Sequence, residues 1–237
     1  MWSFKVNGGD VSFDRASRPI LSLDHLEIRL DGPLAVLGRN GAGKTTFLRL
    51  LAGVVGTQAN GVDWQGGSKA PRLGYLPAAF GLIPEFTVQE NLAACCADIN
   101  EGRAIESAID MMKLHTLLGK RPSELSLGEG QRVRFAIAIS RSPDVFLLDE
   151  PVSNMDIDAT ILAIGAMQRV AESGKGIVLV THDLATVESL CPNLLILEAG
   201  RVIYQGTRDA FVAKCEGDTF ATAYRRFMGS DNALDSN

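Results

Sequence analysis

The chain has 237 residues, 46% hydrophobic and 22% charged, with a formal net charge of -5. That length buries a sizeable core as one large or two small domains, and the composition excludes a disordered chain. The acidic balance excludes nucleic acid as the main partner, because a phosphate backbone calls for a basic surface.

The first residues, Met1-Trp2-Ser3-Phe4-Lys5, lack the apolar core of a signal peptide, and no later run reaches transmembrane length. The chain is therefore expected to be cytosolic unless another chain carries it to a membrane. Strands are expected at Phe4–Val6, Val11–Phe13 and His25–Leu30, with glycine-bearing turns between them. Asp31-Gly32-Pro33 is a turn signal ahead of a buried strand at 34–37. A glycine-rich loop follows, then a helix expected to run to about Ala52 and to end at Gly53. Val62-Asp63-Trp64 reads as a hairpin strand and Leu73–Leu76 as a short apolar one.

From Pro77 the pattern turns helical. Thr87 and Glu90 fit a capping box, each side chain answering the other's backbone N–H, with a helix expected to about Ala97. Residues 101–118 read as a second helix with Ile105, Ile109, Met112 and Leu117 on one face. Residues 78–141 are thus expected to form a helical subdomain inserted between strands. Apolar strands return at Val145–Leu148 and Ile177–Val180, joined by a helix whose apolar side chains would be Ile161, Leu162, Ile164 and Met167. A hairpin is expected at Leu194–Leu197 and Val202–Tyr204, a short helix capped by Thr207 at 208–215, and a polar tail at 230–237. Cys95, Cys96, Cys191 and Cys215 show no metal spacing and are expected as reduced thiols.

Three constellations carry chemistry. Gly38-Arg39-Asn40-Gly41-Ala42-Gly43-Lys44-Thr45-Thr46 has the spacing of a phosphate-binding loop between strand and helix. Its glycines let successive backbone N–H groups converge on a phosphate; Lys44 would reach the outer phosphates and the Thr45 hydroxyl would ligate Mg²⁺. Asp149 and Glu150 end an apolar strand, where open α/β sheets bind ligands. Asp149 would hold Mg²⁺ through water, and Glu150 is placed to polarise an attacking water. His182 ends the next apolar strand and would donate from a neutral imidazole to a γ-phosphate. Third, Ser126 and Glu129 fit a capping box before Val133–Ile139, and a capped helix start beside Gly128 is also an anion site.

Together these motifs resemble the nucleotide-binding subunit of ATP-binding cassette (ABC) transporters, over about residues 4–215. Gly38–Thr46 matches the Walker A loop and Val145–Glu150 matches Walker B with its catalytic glutamate. Leu125–Gln131 resembles the signature, Ser153-Asn154-Met155-Asp156 the D-loop and His182 the switch histidine. Gly74–Pro77 resembles the approach to the Q-loop, and Leu195–Thr207 the family's closing hairpin. The resemblance implies an α/β P-loop NTPase fold: a mainly parallel core sheet, an antiparallel β subdomain and the inserted helices, as one domain over 1–229. It implies ATP and Mg²⁺ as ligands. Gly38, Asn40, Gly41, Ala42, Gly43, Lys44, Thr45 and Thr46 would bind the nucleotide, with Thr45 and Asp149 at the metal and Glu150 and His182 catalytic. Ser126, Gly128 and Asp156 would serve a second ATPase subunit docked head to tail. It further implies a separate membrane permease, placing the chain peripherally on the cytoplasmic face of the cell membrane. The L-S-L-G form of the signature looks more like exporters than importers. A soluble regulatory or assembly ATPase without transport is the alternative.

The departures are specific. Arg39 stands where proline or serine is usual, Leu127 replaces a signature glycine and Glu129 its glutamine. Phe13 is the nearest candidate to stack on adenine, and Ala78 occupies the position of the Q-loop glutamine.

Overall fold

Four apolar stretches dictate the centre of the molecule. β3 (Leu34–Gly38), β6 (Val145–Asp149), β7 (Gly176–Val180) and β8 (Asn193–Glu198) are runs of Val, Ile and Leu, as in strands covered on both faces. The computed structural model describes residues 1–11, 19–55, 61–79, 81–94, 102–217 and 219–229. In it these strands join β5 (Leu73–Leu76) and β9 (Arg201–Thr207) in one sheet of order β5-β6-β7-β3-β8-β9. All pairings are parallel except that of β9, which closes one edge antiparallel.

The two-residue period of the strands sorts their side chains between two cores. Ala35, Leu37, Phe146, Leu148, Ile177 and Leu179 face a core shared with most of the helices. Leu34, Val36, Val145, Leu147, Val178 and Val180 face a second core. That one is closed by α1 (Lys44–Leu51) and by a three-stranded antiparallel sheet, β2 (Leu21–Leu30), β1 (Trp2–Val11) and β4 (Val62–Gln65). The two sheets are stitched by Ser22 N donating to Gly200 O at 2.9 Å and Gln205 Nε2 to Glu27 O at 2.7 Å.

The amino-terminal strands differ from expectation. Phe4–Val6 and Val11 belong to one strand, because Gly8 and Gly9 take positive φ (80° and 127°) and let the ladder to β2 keep its register. Residues 12 and 13 lie outside the described residues. β2 begins at Leu21, four residues before the expected start. β4 is no hairpin strand: it pairs with β1, where Phe4 meets Trp64 at 5.2 Å and Phe47 of α1 at 6.2 Å.

Between β5 and β6 the described residues form only helices: α2 (Val88–Ala94), α3 (Gly102–Met111), α4 (Leu127–Ser140) and two short 3-10 turns. Thr87 starts α2 through the expected reciprocal bonds, Thr87 N to Glu90 Oε2 at 2.7 Å and Glu90 N to Thr87 Oγ1 at 3.2 Å. Residues 95–97, with Cys95 and Cys96, lie outside the described residues. The second expected helix ends early, at Met111, because Lys113 takes a left-handed φ of 50°; a 3-10 turn at His115–Leu117 replaces its last turn. Ile109, Met112 and Leu117 are nonetheless buried, with Ile105 packed against them.

α5 (Ile157–Glu172) joins β6 to β7 as expected and corrects the expectation only at Ile161. Its buried face is Ala159, Ala163, Ala166 and Met167, while Ile161 is 60% exposed. Alanines make up most of the inward face, and Leu162 and Ile164 are partly buried against the same core. α6 (Leu184–Leu190) follows β7, and α7 (Arg208–Lys214) starts at the Thr207 cap. α8 (Phe220–Gly229) is a helix not expected from the sequence, and its Phe220 and Phe227 pack edge-on against Phe211 of α7. The tail 230–237 lies outside the described residues. Cys191 is buried, which pushes its thiol up to about 12; Cys215 is half-buried.

Candidate active site

β3, β7 and β6 lie side by side and parallel, so their carboxyl ends open together. β3 ends in the glycine loop. Gly38 has φ 145°, and a Cβ there would sit 2.1 Å from Leu197 O, so only glycine allows the chain past β8. Gly43 is the N-cap of α1 at φ 99°, and a Cβ would come within 2.5 Å of Leu21 Cδ2. A glycine cap brings no side-chain acceptor, and the first turn holds no acidic residue. The N–H groups and dipole that start α1 are left for an anion.

Lys44 is half-buried and folds back over the loop, donating to Gly38 O at 2.8 Å and Arg39 O at 3.0 Å. Burial pushes its ammonium below the ordinary lysine value, and the nearby Glu150 and Asp149 pull it back up. Thr45 Oγ1 donates to Asp149 Oδ2 at 2.8 Å, joining the start of α1 to the end of β6. Asp149 is 1% exposed, and burial raises its carboxyl above the usual range. The Thr45 bond opposes that rise, Glu150 adds to it, and Arg49 and Lys44 oppose it.

Glu150 takes a left-handed φ of 51°, with its N–H donating to Val180 O at 2.8 Å. That turn carries its carboxyl toward β7, where His182 Nδ1 stands 2.9 Å from Glu150 Oε2. The contact is close enough for an ion pair but is not aligned as a hydrogen bond. His182 is otherwise open to solvent.

These groups meet in a cleft of about 310 Å³ lined by Asn40, Gly41, Gly43, Lys44, Thr45 and Thr46 on one side and Ala78, Asp149 and Glu150 on the other. A hollow of about 390 Å³ between β2 and β9 is larger, but it is lined by Asp24, His25, Arg201 and Gln205, away from the glycine loop. Gly38 and Ala42 shape the loop from behind, Ala42 O accepting from Gly200 N at 3.2 Å. His182 faces Glu150 at the edge of the cleft. Phe13 lies outside the described residues.

Ser126, Gly128 and Asp156 are not among the residues lining this cleft. Ser126 caps α4, Oγ accepting from Glu129 N at 3.1 Å while Glu129 Oε2 accepts from Ser126 N at 2.8 Å. Those bonds, the backbone one first, and Lys120 hold the Glu129 carboxyl below its ordinary range. Asp156 caps α5, accepting from Ala159 N at 2.7 Å. Gly128 packs against the segment after β6: a Cβ there would lie 2.8 Å from Asn154 O. Beside these helix starts, Leu127 and Ile157 are 77% and 79% exposed.

The donor set suits nucleotide with a hard divalent cation. Thr45 and Asp149 offer two oxygens, and no cluster of three or more His, Cys, Asp or Glu gathers among the described residues. A metal here would take its other ligands from water and phosphate, which is the habit of Mg²⁺. Two residues to which the motifs assign no individual role join the site: Arg49, whose charge reaches Asp149, and Gln131, the last residue of the signature match, a buried glutamine on α4 that donates to Glu150 O and Pro151 O. Arg49 lies one helical turn after Thr45, and that spacing was its only signal.

A family model described as ABC transporter matches residues 22–153, more than half of the chain. An uncharacterized ABC transporter ATP-binding protein of Methanocaldococcus jannaschii is 34% identical over 176 residues, covering 72% of this chain and 65% of that protein. A Nod factor export ATP-binding protein I of Paraburkholderia xenovorans is 33% identical over 195 residues, covering 75% of this chain and 62% of that protein. The chain thus spans less than two thirds of the length of these relatives. Among solved structures, an ATP-binding subunit of an ABC transporter superposes with a TM-score of 0.80 at 25% identity, covering 93% of this chain and 97% of that one.

Proposed function

The chain belongs to the ABC transporter family, and from that premise we propose that it binds and hydrolyses ATP to drive a separate membrane permease, of the exporter kind. The observation that carries the proposal is the Thr45–Asp149 bond, which sets a phosphate loop and a strand-end carboxylate pair around one cleft. In this reading the loop N–H groups from Gly41 to Thr46 and the dipole of α1 hold the phosphates. Lys44 leaves Gly38 O and Arg39 O for the outer phosphates. Thr45 and Asp149 would hold Mg²⁺, which would neutralise charge on the phosphates. Glu150 orients and deprotonates the attacking water, and His182 moves from Glu150 to the terminal phosphate.

Ser126, Gly128 and Asp156 act on the nucleotide of a second ATPase subunit docked head to tail. What supports this is the exposed apolar surface beside them, Leu127, Ile157 and Ile161, which a partner would cover. No helix among the described residues is long and apolar enough to cross a membrane. The exporter assignment follows the Nod factor export relative.

Phosphate release from MgATP by the purified chain, with and without Glu150→Gln, tests the reading. Turnover should fall about 10²–10⁴-fold with nucleotide still bound, as for loss of a general base. An unchanged rate would remove Glu150 from the mechanism.

A further inference from the structure

Gln131 is 2% exposed and lies three residues after Gly128, on the face of α4 that packs against the segment following β6. Its Nε2 donates to Pro151 O at 2.8 Å and to Glu150 O at 3.2 Å. Ser153 converges on the same Glu150 carbonyl, from Oγ at 2.9 Å and from N at 3.2 Å. The carbonyl held by these donors belongs to a residue at φ 51°, a conformation that non-glycine residues adopt only when their surroundings enforce it. Gln131 gives both amide hydrogens to this turn, while its Oε1 is buried with no hydrogen-bond partner. A glutamine kept at the expense of an unanswered acceptor is there for its donors.

We infer that Gln131 is a positioning residue that holds the left-handed backbone of Glu150, and so the aim of its carboxylate, from the amino-terminal turn of α4. The inference rests on the reading of Glu150 as the base. Relaxing Glu150 toward ordinary φ would rotate its side chain away from the direction that now meets His182. Because Ser126 and Gly128 stand on the same helix start, any displacement of that start is passed to the Glu150 carbonyl through Gln131. The link is mechanical and lies within one subunit.

The test is Gln131→Met in the full chain, alone and with Glu150→Gln. Methionine keeps the length and removes both donors; it removes the buried Oε1 but leaves Pro151 O without its donor, so a modest fall in melting temperature is expected and is measured beside the kinetics. We expect kcat for MgATP to fall about 10-fold, because a slightly misaimed catalytic group loses rate before binding. KM and the affinity for MgADP should be unchanged. In the Glu150→Gln background the same substitution should cost nothing further. An equal loss in both backgrounds, a change confined to KM, or an unchanged kcat would overturn the inference. If Gln131→Met does not fold, Ser153→Ala enters the same cycle from a half-exposed position, and an equal loss in both backgrounds counts against it in the same way. Wild-type turnover in Glu150→Gln alone would overturn the base itself. Slow turnover there beside an unaffected Gln131→Met would overturn only the role given to Gln131.

Discussion

The carboxyl edge of the sheet and the amino-terminal ends of α4 and α5 carry two different sets of the motifs, and they are built differently. At the sheet edge the groups answer one another across the fold: Thr45 bonds Asp149, Lys44 bonds the loop carbonyls, and Glu150 meets His182. At the helix starts the capping groups answer neighbouring backbone, Ser126 with Glu129 and Asp156 with Ala159, while Lys120 reaches Glu129 and Gln131 reaches the turn after β6. Around those starts Leu127, Ile157 and Ile161 stand in solvent. The first region is complete within one chain, whereas the second is a capped, apolar face shaped to meet something else. Perturbing each region should therefore give a different signature: at the sheet edge the loop governs nucleotide binding and Glu150 turnover, whereas changes at the helix starts should lower turnover without loss of binding.

Lys44→Ala should give the largest effect. Removing the only ammonium at the loop should weaken ATP binding about 10- to 100-fold, the worth of a hydrogen bond to a charged group. Equilibrium binding of labelled ATP to the folded variant measures it, and unchanged affinity would dissolve the contrast between the two regions.

Leu127→Glu strikes the other region. A glutamate in the first turn of α4 suits the helix dipole, so the fold should be unharmed and ATP should bind the single chain as before. Against a phosphate held by a partner subunit the same charge is repulsive, and turnover should drop about 10-fold, the cost of ~1.4 kcal/mol in the assembled site. Binding and turnover measured on one preparation decide it; intact turnover would mean that this face meets no nucleotide.

Legibility in the sequence follows the same divide. The loop, Asp149 and Glu150 could be read because their geometry is local: a strand, a turn and a helix in sequence order place each group. Gln131 could not be read, since its partners lie 19 and 20 residues away in the chain and only the packing of α4 brings them together. Ile161 of α5 was misjudged because the helix carries apolar residues on more than one face; periodicity alone does not say that the face with the alanines is the buried one. α8 was overlooked although Phe220, Ala223, Phe227 and Met228 repeat at helical spacing. Its partner Phe211 lies in another helix, and that contact is what gives the repeat meaning.

Asp149→Asn sharpens the comparison from the stability side. Burial raises the Asp149 carboxyl, so the folded protein binds that proton more tightly than the unfolded chain does. The resulting penalty is absent below the ordinary carboxylate value and develops as pH rises through the raised one. Asparagine still accepts from Thr45 and removes the charge, so the variant should be more stable at neutral pH by roughly 0.5–2 kcal/mol, a common gain when a functional strain is relieved. The gain should vanish in acid. Denaturant melts at several pH values check the sign, and a destabilised variant at neutral pH would show that the carboxylate is stabilising where it stands.

Ala78 provides the finest test, because it is a gap in the region otherwise complete. The structure places it in the wall of the cleft facing the loop, where its methyl group offers neither oxygen to a metal nor a polar contact to water. Glu85 and Gln89, two polar residues shortly after it in the chain, are exposed and do not line the cleft. Water can fill the missing ligand position, since Mg²⁺ retains several waters in most sites, so ATP binding should be little affected by the gap. Ala78→Gln should then lower the Mg²⁺ concentration for half-maximal hydrolysis only about 3-fold, the scale of one net hydrogen bond. Its larger consequence should be in response to the permease, because an amide at this wall would join the metal's surroundings to the segment leading into α2. Turnover is measured across Mg²⁺ concentrations, with and without the permease. If neither the Mg²⁺ dependence nor the stimulation moves, the wall at residue 78 is indifferent to its side chain.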